Sequence, residues 1–347
     1  MKRVVVIGGG FAGAYIAKKL ENYFSVTLID AKNYFEFTPS VLKVIVEPSH
    51  IKRIHALHSA YLNKAKILIG EVKQVTKKEV ITKCKDRIMK IVFDYLVIAS
   101  GTKYQYPFKE QNLILATRAN SLKNCYANLF KSKKVLIIGG GVVGVELAAE
   151  IIGKYKDKDI TIIESNKELI ERTPKKAREY ARQFLTNKGV KILFREKLVQ
   201  IKKDIFITDK GVKIKPDISF LCTGITPNFK FMQKNFYSKL NKKNYLKVND
   251  YLQLIGYKNI FAAGDIAGLN EEKLAQNAEN HARIIVKNIV NLEKNKSLIH
   301  YKQKPRIMVI SLGRYNGILN YKNFVFTGIF PGFLKHAIEW KTMIKYR

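Results

Sequence analysis

Cysteine is scarce. Cys84, Cys125 and Cys222 are the only three, and none lies near another. The absence of any CxxC or CxxxxC pair excludes a metal knuckle and a local redox disulfide. An odd, sparse count also argues against a disulfide-stapled secreted scaffold and fits a reducing compartment. Long apolar runs are missing too. No uncharged stretch reaches the roughly 18 residues that a spanning helix needs. The nearest candidate, residues 135–152, carries Glu146 and Glu150 and reads as a buried strand followed by a helix. The amino end "MKRVVVIGGGFAGAYIA" has the basic start and apolar run of a signal peptide, but its glycine spacing belongs to a strand-turn-helix unit, so no signal peptide is expected.

Acidic residues are the other deficit. Asp and Glu total 28 against 63 Lys and Arg, leaving a formal charge of +35. Such a field attracts anionic lipid surfaces, nucleic acid or anionic substrates. The lysines are spread along the whole chain and accompany abundant Asn, Ile and Tyr, which points to compositional bias first and surface attraction second. Apolar content of 47% is ordinary for a folded protein, and 347 residues suffice for two cores.

What is present is a pattern that occurs twice. Residues 3–7 read as a buried strand, 12–21 as a helix and 25–30 as a second strand. After short alternating strands in 66–83, "IVFDYLVIASGT" closes the round. The second round has a strand at 134–138, a helix at 142–153 and a strand at 159–164. It continues with a helix near 174–188, a strand at 190–194, short strands near 198–214 and "DISFLCTG". "NIFAAGDIA" adds a strand, followed by a helix over about 271–293, and the last 45 or so residues suggest antiparallel strands and a final helix. Strands alternating with helices predict an α/β chain with two doubly wound Rossmann-like sheets. The second is inserted in the first, and a small C-terminal β segment and an amphipathic helix follow.

Each round carries GxGxxG between a strand and a helix. In Gly8, Gly10 and Gly13 the first glycine permits the tight turn, the second lets backbone approach a pyrophosphate, and the third allows close helix-strand packing. Phe11 and Ala12 complete that loop. Asp30 ends the next strand, where a carboxylate accepts from ribose hydroxyls. The second loop repeats the set with Gly139, Gly141, Val142, Val143 and Gly144, and Glu164 stands in the acidic position. A carboxylate there favours NADH by repelling a 2′-phosphate, with nearby Lys167 softening the preference. Two loops imply two nucleotides, one held as a prosthetic group and one exchanging, and hydride transfer between nicotinamide and flavin is the chemistry that needs such a pair.

On these motifs the chain resembles the two-dinucleotide-domain flavoprotein reductases. Within them it is most similar to type II NADH:quinone oxidoreductases and the apoptosis-inducing-factor-like quinone reductases. "VIASGT" and "FLCTGITPN" are similar to the paired motifs that close each domain, and "NIFAAGDIA" to the segment whose aspartate meets the flavin ribitol. The resemblance implies that Ser100, Gly101, Gly264 and Asp265 join the first loop in holding FAD, and that Gly224 joins the second in holding NADH. It divides the chain into an FAD unit at 1–106 and 230–296, an NADH unit at 107–229 and a C-terminal segment at 297–347. The stretch "NYFEFTPSVLKVI" has no flavin-facing cysteine, which disfavours the disulfide reductases, and its "FTP" is similar to a quinone-reductase motif that puts Thr38 and Pro39 near the flavin. Glu146 resembles the family glutamate near the nicotinamide; a first-turn acid favoured by the helix dipole is the plainer alternative. "KLAQNAENHA" is similar to the type II motif AQxAxQ, with Gln276 matched and Asn280 replacing the second glutamine. The neighbouring His281 reads as a surface or packed residue, and the three cysteines as small buried hydrophobes.

In the tail, Phe330, Phe333, Leu334, Ala337, Ile338 and Ile344 recur at helical spacing beside Trp340, with Lys335, Lys341, Lys345 and Arg347 as charges. A basic amphipathic helix over 329–347 suits an anionic membrane surface, against the alternative that its apolar face packs on the FAD unit. The implied protein is a peripheral flavoenzyme on the cytoplasmic face of the membrane, passing hydride from NADH to FAD and two electrons to a quinone. A homodimer is left open. A soluble NADH-dependent reductase of an electron-carrier protein or of oxygen is the first alternative. A regulatory flavoprotein that binds nucleic acid ranks behind it, and no metal is expected.

Overall fold

The computed structural model describes residues 1–103, 115–305, 307–322 and 324–347. The expected unit boundary at 106–107 lies outside the described residues. Five parallel strands form the first sheet, in the order Ile260–Ala262, Tyr95–Ile98, Arg3–Ile7, Ser25–Asp30 and Lys66–Ile69. Four parallel strands form the second, in the order Ile218–Leu221, Lys134–Ile138, Asp159–Glu164 and Lys191–Phe194. The second sheet therefore repeats the last four strands of that order, Tyr95–Ile98 to Lys66–Ile69. The strand Ile260–Ala262, which follows the whole second sheet in sequence, closes the first. Strands buried on both faces need continuous apolar runs, and "VVVI" and "VLII" supply them.

Each sheet carries a small antiparallel three-stranded appendage, Glu71–Val75 with Glu79–Cys84 and Arg87–Val92 in the first, and Leu198–Lys202 with Ile205–Thr208 and Lys213–Ile214 in the second. The chain crosses between the halves on a two-stranded ribbon, Thr102–Lys103 antiparallel to Thr226–Pro227. The long helix Ala275–Glu293 packs on the helix Phe11–Leu20 and extends the first half.

The C-terminal segment is a meander, Ile307–Ser311, Gly317–Tyr321 and Phe324–Gly328, followed by a helix at Ile329–Met343 and a 3₁₀ turn at Ile344–Tyr346. This helix turns polar groups inward. Glu339 and Thr342 are buried, while Phe330, Phe333 and Trp340 are exposed. Phe324 and Phe326 on the adjoining edge strand are exposed beside them. Four links fasten the inward face. Glu339 Oε2 lies 3.0 Å from His50 Nε2, Lys345 Nζ donates to Glu279 Oε2 at 3.0 Å, Lys18 Nζ donates to the Lys345 carbonyl at 2.5 Å, and the Arg347 guanidinium donates to the Lys52 and Arg53 carbonyls. Met343 and Tyr346 pack into the core of the body beside these links, while the rest of the apolar stripe faces outward. Among the described residues no helix is long and apolar enough to cross a membrane.

Candidate active site

Both glycine loops have the same stereochemistry. Gly8 has φ +96°, and a Cβ there would lie 2.4 Å from the Ala99 carbonyl oxygen; a Cβ on Gly13 would lie 1.7 Å from the Gly8 oxygen. In the second loop Gly139 has φ +108°, and a Cβ on Gly144 would lie 1.9 Å from the Gly139 oxygen. At Gly10 and Gly141 no protein atom comes within 4 Å of a Cβ. These two glycines border free space at the start of a helix, Phe11–Leu20 and Val142–Lys154. Backbone N–H groups at a helix start facing open space are what a pyrophosphate needs, so the residues present fit a dinucleotide at each loop.

The acids repeat as well. Gly9 N donates to Asp30 Oδ2 at 2.9 Å, and Gly140 N donates to Glu164 Oε2 at 2.6 Å. Asn166 N and Ser165 Oγ donate to Glu164 Oε1 at 2.7 and 3.2 Å, fixing its carboxylate at the strand end. Asp30 has a partner that the sequence did not reveal, His58, whose Nε2 lies 3.0 Å from Oδ2. The other ring nitrogen, Nδ1, lies 2.6 Å from the Tyr61 hydroxyl. Burial works to raise Asp30, but the His58 hydrogen bond and the Lys32 charge outweigh it and hold the carboxyl below its ordinary value. A carboxylate accepts only, so His58 donates through Nε2 and accepts from Tyr61. The middle glycines are explained too: a Cβ on Gly9 would lie 2.4 Å from the His58 ring, and one on Gly140 2.5 Å from Leu169.

Ser100 and Gly101 sit at the crossover between the halves. Ser100 Oγ donates to the Asn228 carbonyl and Asn228 Nδ2 donates to the Ser100 carbonyl, both at 2.8 Å, and Asn228 N donates to the Gly101 oxygen at 3.0 Å. Thr102 Oγ1 donates to Asp265 at 2.8 Å, tying the crossover to the segment at 264–266. Gly264 N donates to His281 Nδ1 at 3.0 Å, which leaves the ring proton on Nε2, and Nε2 lies 2.6 Å from Glu271 Oε1. The Tyr301 hydroxyl donates to Glu271 Oε2 at 2.7 Å. Burial opposes the ionised form of Glu271, yet His281 and Tyr301 hold it below the ordinary carboxylate value. His281 is thus a packed residue, with the added task of holding the backbone at Gly264.

A cavity of about 1510 Å³ joins the two halves. Phe11, Pro39, Val142, Val143, Glu146, Gly224 and Gln276 all line it, and Lys242, Lys273 and Lys341 give it a cationic wall. Thr38 lies between the lining residues Phe37 and Pro39, its hydroxyl donating to the Glu36 carbonyl at 3.4 Å. Glu146 is buried and accepts at Oε1 from Ser311 N at 2.7 Å and from Lys335 Nζ. A second cavity of about 710 Å³ runs along the second loop past Glu164, Asn166 and Gly224. Cys222 borders both cavities and takes the place that Ala99 has under the first loop. Desolvation pushes its thiol up to about 12, so it is a poor nucleophile. Cys84, Cys125 and Cys222 are all free thiols.

Residues 2–282 match the family described as pyridine nucleotide-disulphide oxidoreductase. The chain belongs to that family. It is an oxidoreductase of the NAD(P)H-dependent flavoprotein type and takes FAD and NAD(H), as both loops led one to expect. Apoptosis-inducing factor homolog B of Dictyostelium discoideum is 32% identical, the match covering 91% of this chain and 89% of that one. Ferroptosis suppressor protein 1 of Homo sapiens is 30% identical over 98% of this chain and 95% of its own. Among solved structures, NDH2 of Plasmodium falciparum in complex with NADH superposes with a TM-score of 0.85, at 16% identity and 99% and 96% coverage. The sulfide:quinone oxidoreductase of Aquifex aeolicus superposes at 0.84, with 20% identity and 100% and 92% coverage. These two likenesses establish the fold.

Proposed function

We propose that the chain is a peripheral membrane NADH:quinone reductase that does not pump protons. The observation that carries this reading is the terminal helix. It exposes Phe330, Phe333 and Trp340 to solvent while its Ile338, Lys341 and Thr342, with Lys345 of the turn that follows, line the cavity that Gln276 also lines. Aromatic side chains outside and a cationic cavity wall inside are what an enzyme needs to meet an anionic bilayer and admit an apolar substrate from it. FAD when bound supplies hydride acceptance from NADH and two-electron delivery to the quinone.

The FAD unit spans 1–106 and 230–296, the NADH unit 107–229, and the C-terminal segment 297–347. Gly8, Gly10, Phe11, Ala12, Gly13 and Asp30 hold the adenine half of FAD, with Ser100, Gly101, Gly264 and Asp265 beneath the rest. Gly139, Gly141, Val142, Val143, Gly144 and Gly224 cradle NADH, and Glu164 selects it over NADPH by its charge at the ribose. Glu146 meets the nicotinamide, Thr38 lies by the flavin ring and Gln276 by the quinone.

The test is NADH oxidation by the FAD-loaded protein with a short-chain quinone or air alone, each with and without vesicles of anionic lipid. Quinone reduction that vesicles enhance and that removal of residues 329–347 abolishes is the expected result. Flavin reduction by NADH without quinone turnover would overturn the reading in favour of a protein electron acceptor.

A further inference from the structure

The turn Ile344–Tyr346 brings the chain end back to the body, and Tyr346 is fully buried there. Its ring stacks on Phe35 with centroids 4.1 Å apart and planes at 28°, and meets Tyr61 edge-on at 5.0 Å. Both neighbours lead to the first glycine loop. Phe35 packs edge-on, at 5.2 Å, against Phe11, the residue that opens the helix after Gly10. Tyr61 donates its hydroxyl to His58 Nδ1, His58 Nε2 holds Asp30, and the His58 ring closes against Gly9. Burial holds the Tyr61 phenol well above its ordinary value, so it stays a donor. One ring of the last turn therefore supports both the pyrophosphate loop and the acid that follows it.

The backbone on either side of Tyr346 is tied down as well. Lys18, on the helix Phe11–Leu20, donates to the Lys345 carbonyl, and the Arg347 guanidinium donates to the carbonyls of Lys52 and Arg53. The Tyr346 hydroxyl itself has no hydrogen-bond partner among the described residues, so the ring is held by packing and aromatic contact. A close-packed interior passes a displacement on to its neighbours, so unseating this ring shifts Phe35 and Tyr61. We propose that Tyr346 is a positioning residue for FAD, which fixes Phe35 against Phe11 and Tyr61 against His58, so that FAD and the docked C-terminal turn stabilise each other. The inference rests on the placement of FAD at the loop Gly8 to Gly13 and at Asp30. By linkage, the factor by which the seated turn tightens FAD equals the factor by which FAD tightens the turn. Removal of residues 329–347 then takes away a support of the cofactor together with the exposed aromatics.

The experiment reads the bound fraction of FAD from flavin fluorescence over serial dilution of the full-length holoprotein. Beside it, hydrogen exchange at residues 344–347 is followed with FAD bound and with FAD removed. Tyr346→Ala is expected to raise the FAD dissociation constant about tenfold, within the usual range of coupling between two sites. Tyr346→Phe keeps the ring, loses only the unpartnered hydroxyl and matches the parent. In the parent, removal of FAD speeds exchange at 344–347 by about the same factor, and in Tyr346→Ala exchange there no longer depends on FAD. Should Tyr346→Ala fail to fold, Tyr346→Leu, which keeps apolar volume without the stacked ring, carries the same comparison with a smaller loss. Parental FAD affinity in Tyr346→Ala, or exchange in the parent that ignores FAD, would overturn the inference. Gly10→Ala separates the two levels. If it keeps its flavin, the placement of FAD at this loop falls and the inference with it. If it loses flavin while Tyr346→Ala binds FAD as the parent does, the placement stands and this inference alone falls.

Discussion

Two glycines one helical turn apart meet different neighbours, and substitution separates their roles. Gly10→Ala places a methyl in space that no protein atom occupies, on backbone that is already extended. The chain should fold within about 1 kcal/mol of the parent, and on the proposed placement of the FAD pyrophosphate against this loop it should lose FAD. Gly13→Ala puts a methyl 1.7 Å from a backbone oxygen and should cost about 3 kcal/mol of stability. Flavin absorbance per protein after desalting, read beside a urea unfolding curve, separates the two. A Gly10→Ala chain that kept its flavin would move the cofactor off this loop. The motif spacing made both glycines legible, because the tight turn and close packing act within one strand-turn-helix. His58 was not legible: it lies 28 positions from Asp30 in no recognised pattern, and only the pairing of Tyr34–Glu36 with His55–Leu57 brings the chain back to it.

The terminal helix shows the limit of periodicity. Its apolar stripe was readable, but a stripe says nothing about which side is covered. The structure puts Glu339 and Thr342 inside and the aromatics outside. Burial works to raise Glu339, but the hydrogen bonds from His50 and Ser40 and the charge of Lys43 prevail and hold it below the ordinary carboxylate value. A depressed carboxyl contributes stability that is complete above its unfolded value of about 4.3 and is lost as pH falls through the folded value. Hydrogen exchange of residues 329–343 should therefore accelerate below about pH 4 before the two sheets open. Removing one partner of such a buried pair, as in Glu339→Ala, should cost about 3 kcal/mol and loosen the helix at neutral pH as well. Exchange in Glu339→Ala that matches the parent at every pH would show that His50 does not fasten the helix.

A net charge of +35 is a property of the whole molecule. Self-repulsion opposes the compact state, and salt relieves it at a screening length of about 10 Å in 0.1 M. Raising ionic strength from about 0.05 to about 0.5 M should therefore raise the melting temperature while weakening binding to anionic vesicles. Trp340 is the single tryptophan and lies on the exposed face of the terminal helix, so its emission reports vesicle binding directly. Vesicle binding that ignored salt would show that the bilayer contact is apolar alone.

The duplicated strand-turn-helix rounds, the two nucleotide loops and their acids were determined by the sequence by itself. Each is specified by residues close together in the chain, where alternation, apolar runs and glycine spacing act locally. Those features sufficed for the fold class and for the family. Only the tertiary structure decided which groups answer the acids and hold the loops: His58 on Asp30, the Glu271–His281–Tyr301 cluster behind Gly264, and Lys335 on Glu146. These contacts join elements far apart in the chain. A lysine or histidine bound for such a partner has the same local surroundings in sequence as one bound for solvent. The outward turn of the terminal helix was decided in the same way, because whether a stripe faces core or solvent depends on what else the fold has already covered.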